Sequence, residues 1–204
     1  MALISVSNNA LQNITAVPAS VASGALVLLS TQTASASASI EITSGLDSTY
    51  DSYIIKLINI HPSNDLVQFN FNLSTDGGSN YNVVKTTTVF RTYNAEDDSL
   101  SRLQYRTTMD LAQSTANQIL ADQVSNDNDA GLSGTFQIFN PSSTTYVKHF
   151  ISNTAHFDDD PGTAYAQNFH VAGYANTTSA INAIRFQFAS GNIDDGIIKL
   201  YGVK

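Results

Sequence analysis

The chain has 204 residues, a net charge of −8 and only 13% charged residues, and it contains no cysteine. Nine basic residues are too few for a phosphate-binding surface, so we expect no nucleic-acid partner. The absence of cysteine excludes disulfides, thiolate metal sites and cysteine nucleophiles. The length suits one large domain, or one domain with an arm.

Residues 1–38 differ in composition from the rest of the chain. They are small, neutral and rich in hydroxyl groups, the first acidic residue is Glu41 and the first basic one is Lys56. The lack of early positive charge is unlike a secretory signal, and the apolar run 25–29 is too short to span a bilayer, so we expect no membrane contact. We interpret residues 1–38 as an extended N-terminal assembly arm; the alternative is a first strand or two of the domain.

Residues 39–204 are predicted to form an antiparallel β-sandwich, jelly-roll-like, in an all-β chain. Serine, threonine and asparagine number 24, 20 and 19, and such short polar side chains suit β-surfaces and turns. About eight to ten strands are expected from alternating patterns bounded by turn residues. They are predicted at 40–42, 50–60, 67–73, 84–93, 103–109, 134–139, 146–154, 164–174, 180–188 and 197–204.

Four of these predicted strands carry further expectations. Strand 50–60 is expected to be buried on both faces, and strand 67–73 to be half-buried because apolar and polar residues alternate strictly. The two last strands, separated by 189–196, are expected to form a closing pair, with Ile198 and Leu200 in the core. Segment 110–130 has only a partial helical stripe, so we predict a long loop with a strand near 118–121, a short helix being the alternative.

Few residues point to catalysis. His149, His156 and His170 would have to converge with a carboxylate to bind a metal or act as a base, and β-strand histidines are more often exposed or hydrogen-bonded. The chain has no phosphate-binding glycine loop and no nucleophile elbow, and its only glutamates are Glu41 and Glu96. We predict that the protein is not an enzyme and uses no cofactor.

Two other groups could bind ligands. Carboxylates of Asp127 and Asp129, or of Asp158, Asp159 and Asp160, could coordinate Ca²⁺, although solvated loop acids are the more frequent case. Tyr81 and Tyr93 flank polar loops and could stack on sugars, although most β-sandwich aromatics serve the core.

The end of the chain carries a resemblance to a known group of proteins. Segments 184–193 (IRFQFASGNI) and 196–204 (GIIKLYGVK), with 50–53 (YDSY) and 73–81 (LSTDGGSNY), resemble tailed-bacteriophage virion surface proteins of the head-decoration or fibre type. The polar, weakly charged composition is similar to that of marine phage proteins. The likeness covers residues 40–204 and excludes the N-terminal forty.

The resemblance implies a structural protein on a virion assembled in the host cytoplasm. This protein would decorate or reinforce the capsid as a homotrimer or another symmetric homo-oligomer of β-sandwiches. It would contact capsid or tail proteins, with the arm docking by strand addition. The alternative is a tail-fibre or receptor-binding module that recognises a host polysaccharide, a host glycan then being its ligand.

Overall fold

A computed structural model describes residues 25–159 and 163–204, and it shows an all-β protein. Two antiparallel sheets pack against each other, which confirms the predicted β-sandwich. No helix that could cross a bilayer occurs in these residues. The strands are β1 (Leu26–Ser37), β2 (Ile40–Ile42), β3 (Ser52–Pro62), β4 (Val67–Ser74), β5 (Lys85–Ala95), β6 (Ser101–Tyr105), β7 (Gln118–Val124), β8 (Leu132–Phe139), β9 (Lys148–Asp158), β10 (Tyr165–Ala175), β11 (Ala183–Phe188) and β12 (Ile193–Val203).

The two sheets differ in width. The large sheet has eight strands in the order β1-β12-β3-β8-β9-β10-β5-β6, and the small sheet has four in the order β2-β11-β4-β7. Four strands cannot cover the inner face of eight. The inner face of β5 therefore stays partly open at Arg91 and Tyr93, whereas Val89 and Ala95 on the same face are fully buried.

Phenylalanine rings fill the space between the sheets. Phe71 of β4 lies 4.7 Å from Phe136, 5.1 Å from Phe150 and 6.5 Å from Phe186, measured between ring centroids. All four rings are at most 1% exposed. Tilted and edge-on packing of this kind adds to the hydrophobic gain from burial.

The prediction that β4 is half-buried was wrong. Its apolar face lies in the core, but Asn70 and Asn72 on the other face are also only 4% and 3% exposed. The loop before β7 covers Asn72, which donates hydrogen bonds to the Thr115 carbonyl and the Asn117 side chain, both at 3.0 Å. Asn72 is therefore polar because it binds a loop, not because it faces water.

The prediction that β3 is buried on both faces was also wrong. Burial alternates along the strand, with Ile55 and Leu57 in the core and Ile54 and Ile58 partly exposed. The large sheet has no second layer on its outer side within the described residues, so apolar residues there remain accessible.

The last two strands do not pair with each other. Strand β11 lies in the small sheet between β2 and β4, and β12 lies in the large sheet between β1 and β3. The chain crosses between sheets at Ser190–Asn192, so the closing pair expected from the sequence is a corner of the sandwich. The core positions of Ile198 and Leu200 are confirmed, at 1% and 0% exposure.

Part of the predicted arm belongs to the sandwich. Strand β1 pairs with β12 from Leu26 to Ser37, with one irregularity between Leu28 and Ser30. Residues 26–37 therefore form a strand of the domain, as the alternative interpretation predicted. Residues 1–24 lie outside the described residues, and the arm stays a prediction for them. In segment 110–130, the predicted strand is confirmed as β7.

Candidate functional site

Tyr93 lies where the large sheet extends past the small one. Its ring is partly exposed, and the central carbon of the Arg91 guanidinium lies 4.7 Å from the ring centroid. The ring of Tyr165 packs edge-on with it, with 5.6 Å between the two centroids. Arg91 and Tyr93 are two residues apart on β5 and share its inner face. Tyr165 of β10 pairs with Ala95 of β5. This pairing places Tyr165 diagonally across from Tyr93.

A small polar cavity of about 100 Å³ opens beside these rings. Gln167 links its two charges, since its side-chain oxygen accepts from Arg91 at 3.4 Å and its amide donates to the buried carboxylate of Asp158. Arg91 also donates twice to Gln104, at 3.2 Å. The lining residues are Arg91, Tyr93, Leu100, Gln123, Asp158, Tyr165 and Gln167.

The cavity combines hydrogen-bonding groups with aromatic surface. Burial lowers the pKa of Arg91, and the nearby Arg106 lowers it further, yet a guanidinium stays charged at neutral pH. Gln123 adopts a left-handed backbone conformation with φ of 57°, a strained geometry for a residue other than glycine and one that recurs at functional sites. The volume of about 100 Å³ is below the roughly 300–1,000 Å³ typical of ligand pockets, so the cavity has room for one small polar group.

The floor of this region is a buried polar network on β7 and β9. His156 is 5% exposed and its Nε2 lies 2.7 Å from the Asp122 carbonyl oxygen. The Asp122 carboxylate accepts a hydrogen bond from Gln68 at 3.0 Å and forms an ion pair with Arg106 at 3.6 Å. The His156 contact joins β9 to β7, and the contacts of the Asp122 carboxylate join β7 to β4 and to the segment after β6.

A shallow groove of about 570 Å³ lies on the opposite, outer side of β5. Leu103, which is 72% exposed, forms one wall. Asn168 forms another and donates hydrogen bonds to Asn153 at 2.6 Å and to the Thr154 carbonyl at 2.9 Å. The groove is wider and more open than the polar cavity on the inner side.

Tyr81 occupies a different setting from Tyr93. Arg185 covers its ring, with the guanidinium carbon 4.4 Å from the centroid, and its hydroxyl is buried. Burial, aided by the negative charge of Glu41, raises the pKa of Tyr81 to about 12. Sugar stacking stays a prediction for both tyrosines, and Tyr93 lines both the groove and the polar cavity.

The three histidines do not converge. His149 and His170 are exposed on the outer face of the large sheet, and His156 points inward. No group of three or more metal-ligating side chains forms within residues 25–159 and 163–204.

The predicted acidic ligands are divided between two places. Asp129 lines a depression of about 490 Å³ together with Asp194, Asp195 and His61, and the His61 Nε2 lies 3.0 Å from the Asp127 carbonyl oxygen. Asp159 is close to Asp127, and desolvation together with that negative charge raises the pKa of Asp159. Asp158 belongs to the cavity at Tyr93, and Asp160 lies outside the described residues.

Sequence reasoning missed Arg91, Gln167 and the buried Lys85. Arg91 could have been found because it stands two residues before Tyr93 and shares its strand face. Lys85 carried no such signal. It is fully buried and donates to the Asn72 side chain at 2.6 Å and to the Val83 carbonyl at 2.8 Å. Burial lowers the pKa of Lys85 to about 8.

Comparison with known proteins gives no relative. No family model, no curated protein and no solved structure matches the chain.

Proposed function

We propose that the chain is a non-enzymatic structural protein of a bacteriophage particle surface. It assembles with copies of itself into a symmetric homo-oligomer, and this homo-oligomer binds capsid or tail proteins. The observation that carries this proposal is the sequence resemblance at 184–193, 196–204 and 73–81. In the fold these segments are β11, β12 and the end of β4 with its following turn. A resemblance in scaffold positions supports a shared architecture, and the structural role is inferred from it by analogy.

The turn after β4 shows why its residue types matter. Asp76 accepts hydrogen bonds from the Asn80 backbone at 2.9 Å, the Asn80 side chain at 2.7 Å and Ser74 at 2.7 Å. These bonds, those from Asn80 first, lower the pKa of Asp76 to about 2. Gly77 and Gly78 adopt φ of 73° and 95°, which glycine tolerates best. Hydrogen bonds within the segment therefore stabilise this turn, and the residue types serve the fold of the chain.

Phage particles purified from a culture that produces this chain would test the proposal. We expect density for the sandwich on the particle exterior by cryo-electron microscopy. Quantitative mass spectrometry would give the copy number, on the order of hundreds for a symmetric head decoration and far fewer for a fibre. Absence of the chain from purified particles would overturn the proposal.

The cavity at Tyr93 favours glycan recognition as a second candidate function. Carbohydrate sites combine planar polar side chains with aromatic rings, and Arg91, Gln167 and Tyr93 provide both beside one opening. Host-surface polysaccharide is the ligand class that a virion surface would meet.

Tyr93→Ala is expected to weaken binding to any glycan found on an array by about tenfold, because the substitution removes one wall of the cavity. Tyr146→Ala is the matched control, since Tyr146 is 69% exposed and does not line the cavity. Equal binding by wild type and Tyr93→Ala, or equal loss in the control, would argue against this site.

A further inference from the structure

Strand β1 forms a long, open edge of the large sheet. It has 12 residues, whereas β6 at the other edge has five. One side of β1 pairs with β12, so the N–H and C=O groups directed the other way have no strand partner within the described residues. A row of unpaired backbone groups is a template for another strand.

The β1 edge has little of the usual protection against pairing. Natural edge strands are kept apart by charged residues, proline, short length or bulges. Residues 26–37 (LVLLSTQTASAS) contain neither a charge nor a proline, and one irregularity interrupts the strand, between Leu28 and Ser30. Their first half is also apolar and accessible. Leu26, Leu28 and Leu29 are 38%, 51% and 37% exposed.

We propose that the β1 edge pairs with the β1 edge of a second copy, antiparallel and about a two-fold axis. A two-fold axis brings a segment against itself, so charged residues near the axis would meet like charges. An uncharged strand avoids this repulsion. Antiparallel pairing also sets the bulky 26–29 end of one strand against the small 34–37 end of the other, which leaves room for the leucines.

The pairing would join two large sheets into one continuous sheet twice as wide. Main-chain hydrogen bonds would give affinity, and the leucines would add buried apolar area. This inference does not depend on the phage role, because it follows from the edge alone. It adds to the proposed homo-oligomer a defined surface and a two-fold symmetry.

Introducing charged residues at the β1 edge tests the proposal with the full-length chain. Thr31 and Thr33 are exposed at the centre of β1, so their replacement should leave the fold intact. We expect sedimentation equilibrium to show a wild-type dimer. The Thr31→Lys/Thr33→Lys variant should raise the dimer dissociation constant by about tenfold or more, because like charges face each other across the axis.

The Thr31→Glu/Thr33→Glu variant should be equally weakened, and an equimolar mixture with the lysine variant should restore the dimer. Rescue by mixing separates pairing of β1 strands from a loss of folding. Leu103→Lys, at the edge strand β6 and 72% exposed, is the control and should dimerise as wild type does.

Three results would overturn the proposal. One is a wild-type chain that stays monomeric at all accessible concentrations, and another is a dimer that both charged variants leave unchanged. The third is a monomer whose β1 amide hydrogens are nevertheless protected from exchange, which would assign the edge to another segment of the same chain.

Discussion

Replacing Phe71 with alanine is expected to lower the free energy of unfolding by about 3–5 kcal/mol, the largest effect of any single truncation proposed for this protein. Phe71 is 0% exposed. Its ring contacts Phe136 and Phe150 of the large sheet and Phe186 of the small sheet. Removing it creates a cavity between the sheets that these rigid neighbours fill poorly.

Chemical denaturation measures this loss as a fall in the midpoint at unchanged slope. Phe90→Ala is the matched control, because Phe90 is a β-strand phenylalanine that is 41% exposed on the outer face, and it should cost much less. Similar losses for the two variants would contradict the assignment of Phe71 to the centre of the core.

Strand positions were predictable from the sequence because apolar and polar residues alternate wherever one face is buried. The partition of strands between sheets was not. Alternation looks the same in both sheets, so nothing in 184–188 and 197–203 indicates that the chain changes sheet between them. The prediction for β4 was wrong for a similar reason, since the alternation alone makes Asn72 look solvent-facing and does not show the loop that binds it.

The candidate site was predictable only in part. Tyr81 and Tyr93 are equivalent as residues near polar loops, and they differ only because Arg185 covers one ring while a cavity adjoins the other. Gln167 and Asp158 reach Tyr93 through cross-strand pairing across β9, β10 and β5. Pairing between distant segments fixes such a site, and local patterns do not encode it.

His156 should make the fold sensitive to mild acid. Burial lowers the pKa of His156 from 6.5 to about 4, even though the Asp122 carbonyl and carboxylate favour the protonated ring. Arg91 adds to the lowering. The neutral ring packs on Phe169, with 5.7 Å between centroids. Protonation would place an imidazolium in this apolar setting, which the single contact to Asp122 does not offset.

The direction of the effect follows from proton uptake. Between pH 6.5 and about 4 the unfolded chain binds a proton at His156 that the folded chain does not, so the free energy of unfolding falls as pH falls through this range. The difference corresponds to about 3 kcal/mol in total. His156→Gln should flatten the profile of stability against pH there, because an amide can still donate to the Asp122 carbonyl without titrating. His170→Gln, at an exposed position, should keep the slope, and a His156→Gln profile as steep as that of wild type would assign the acid sensitivity to other groups.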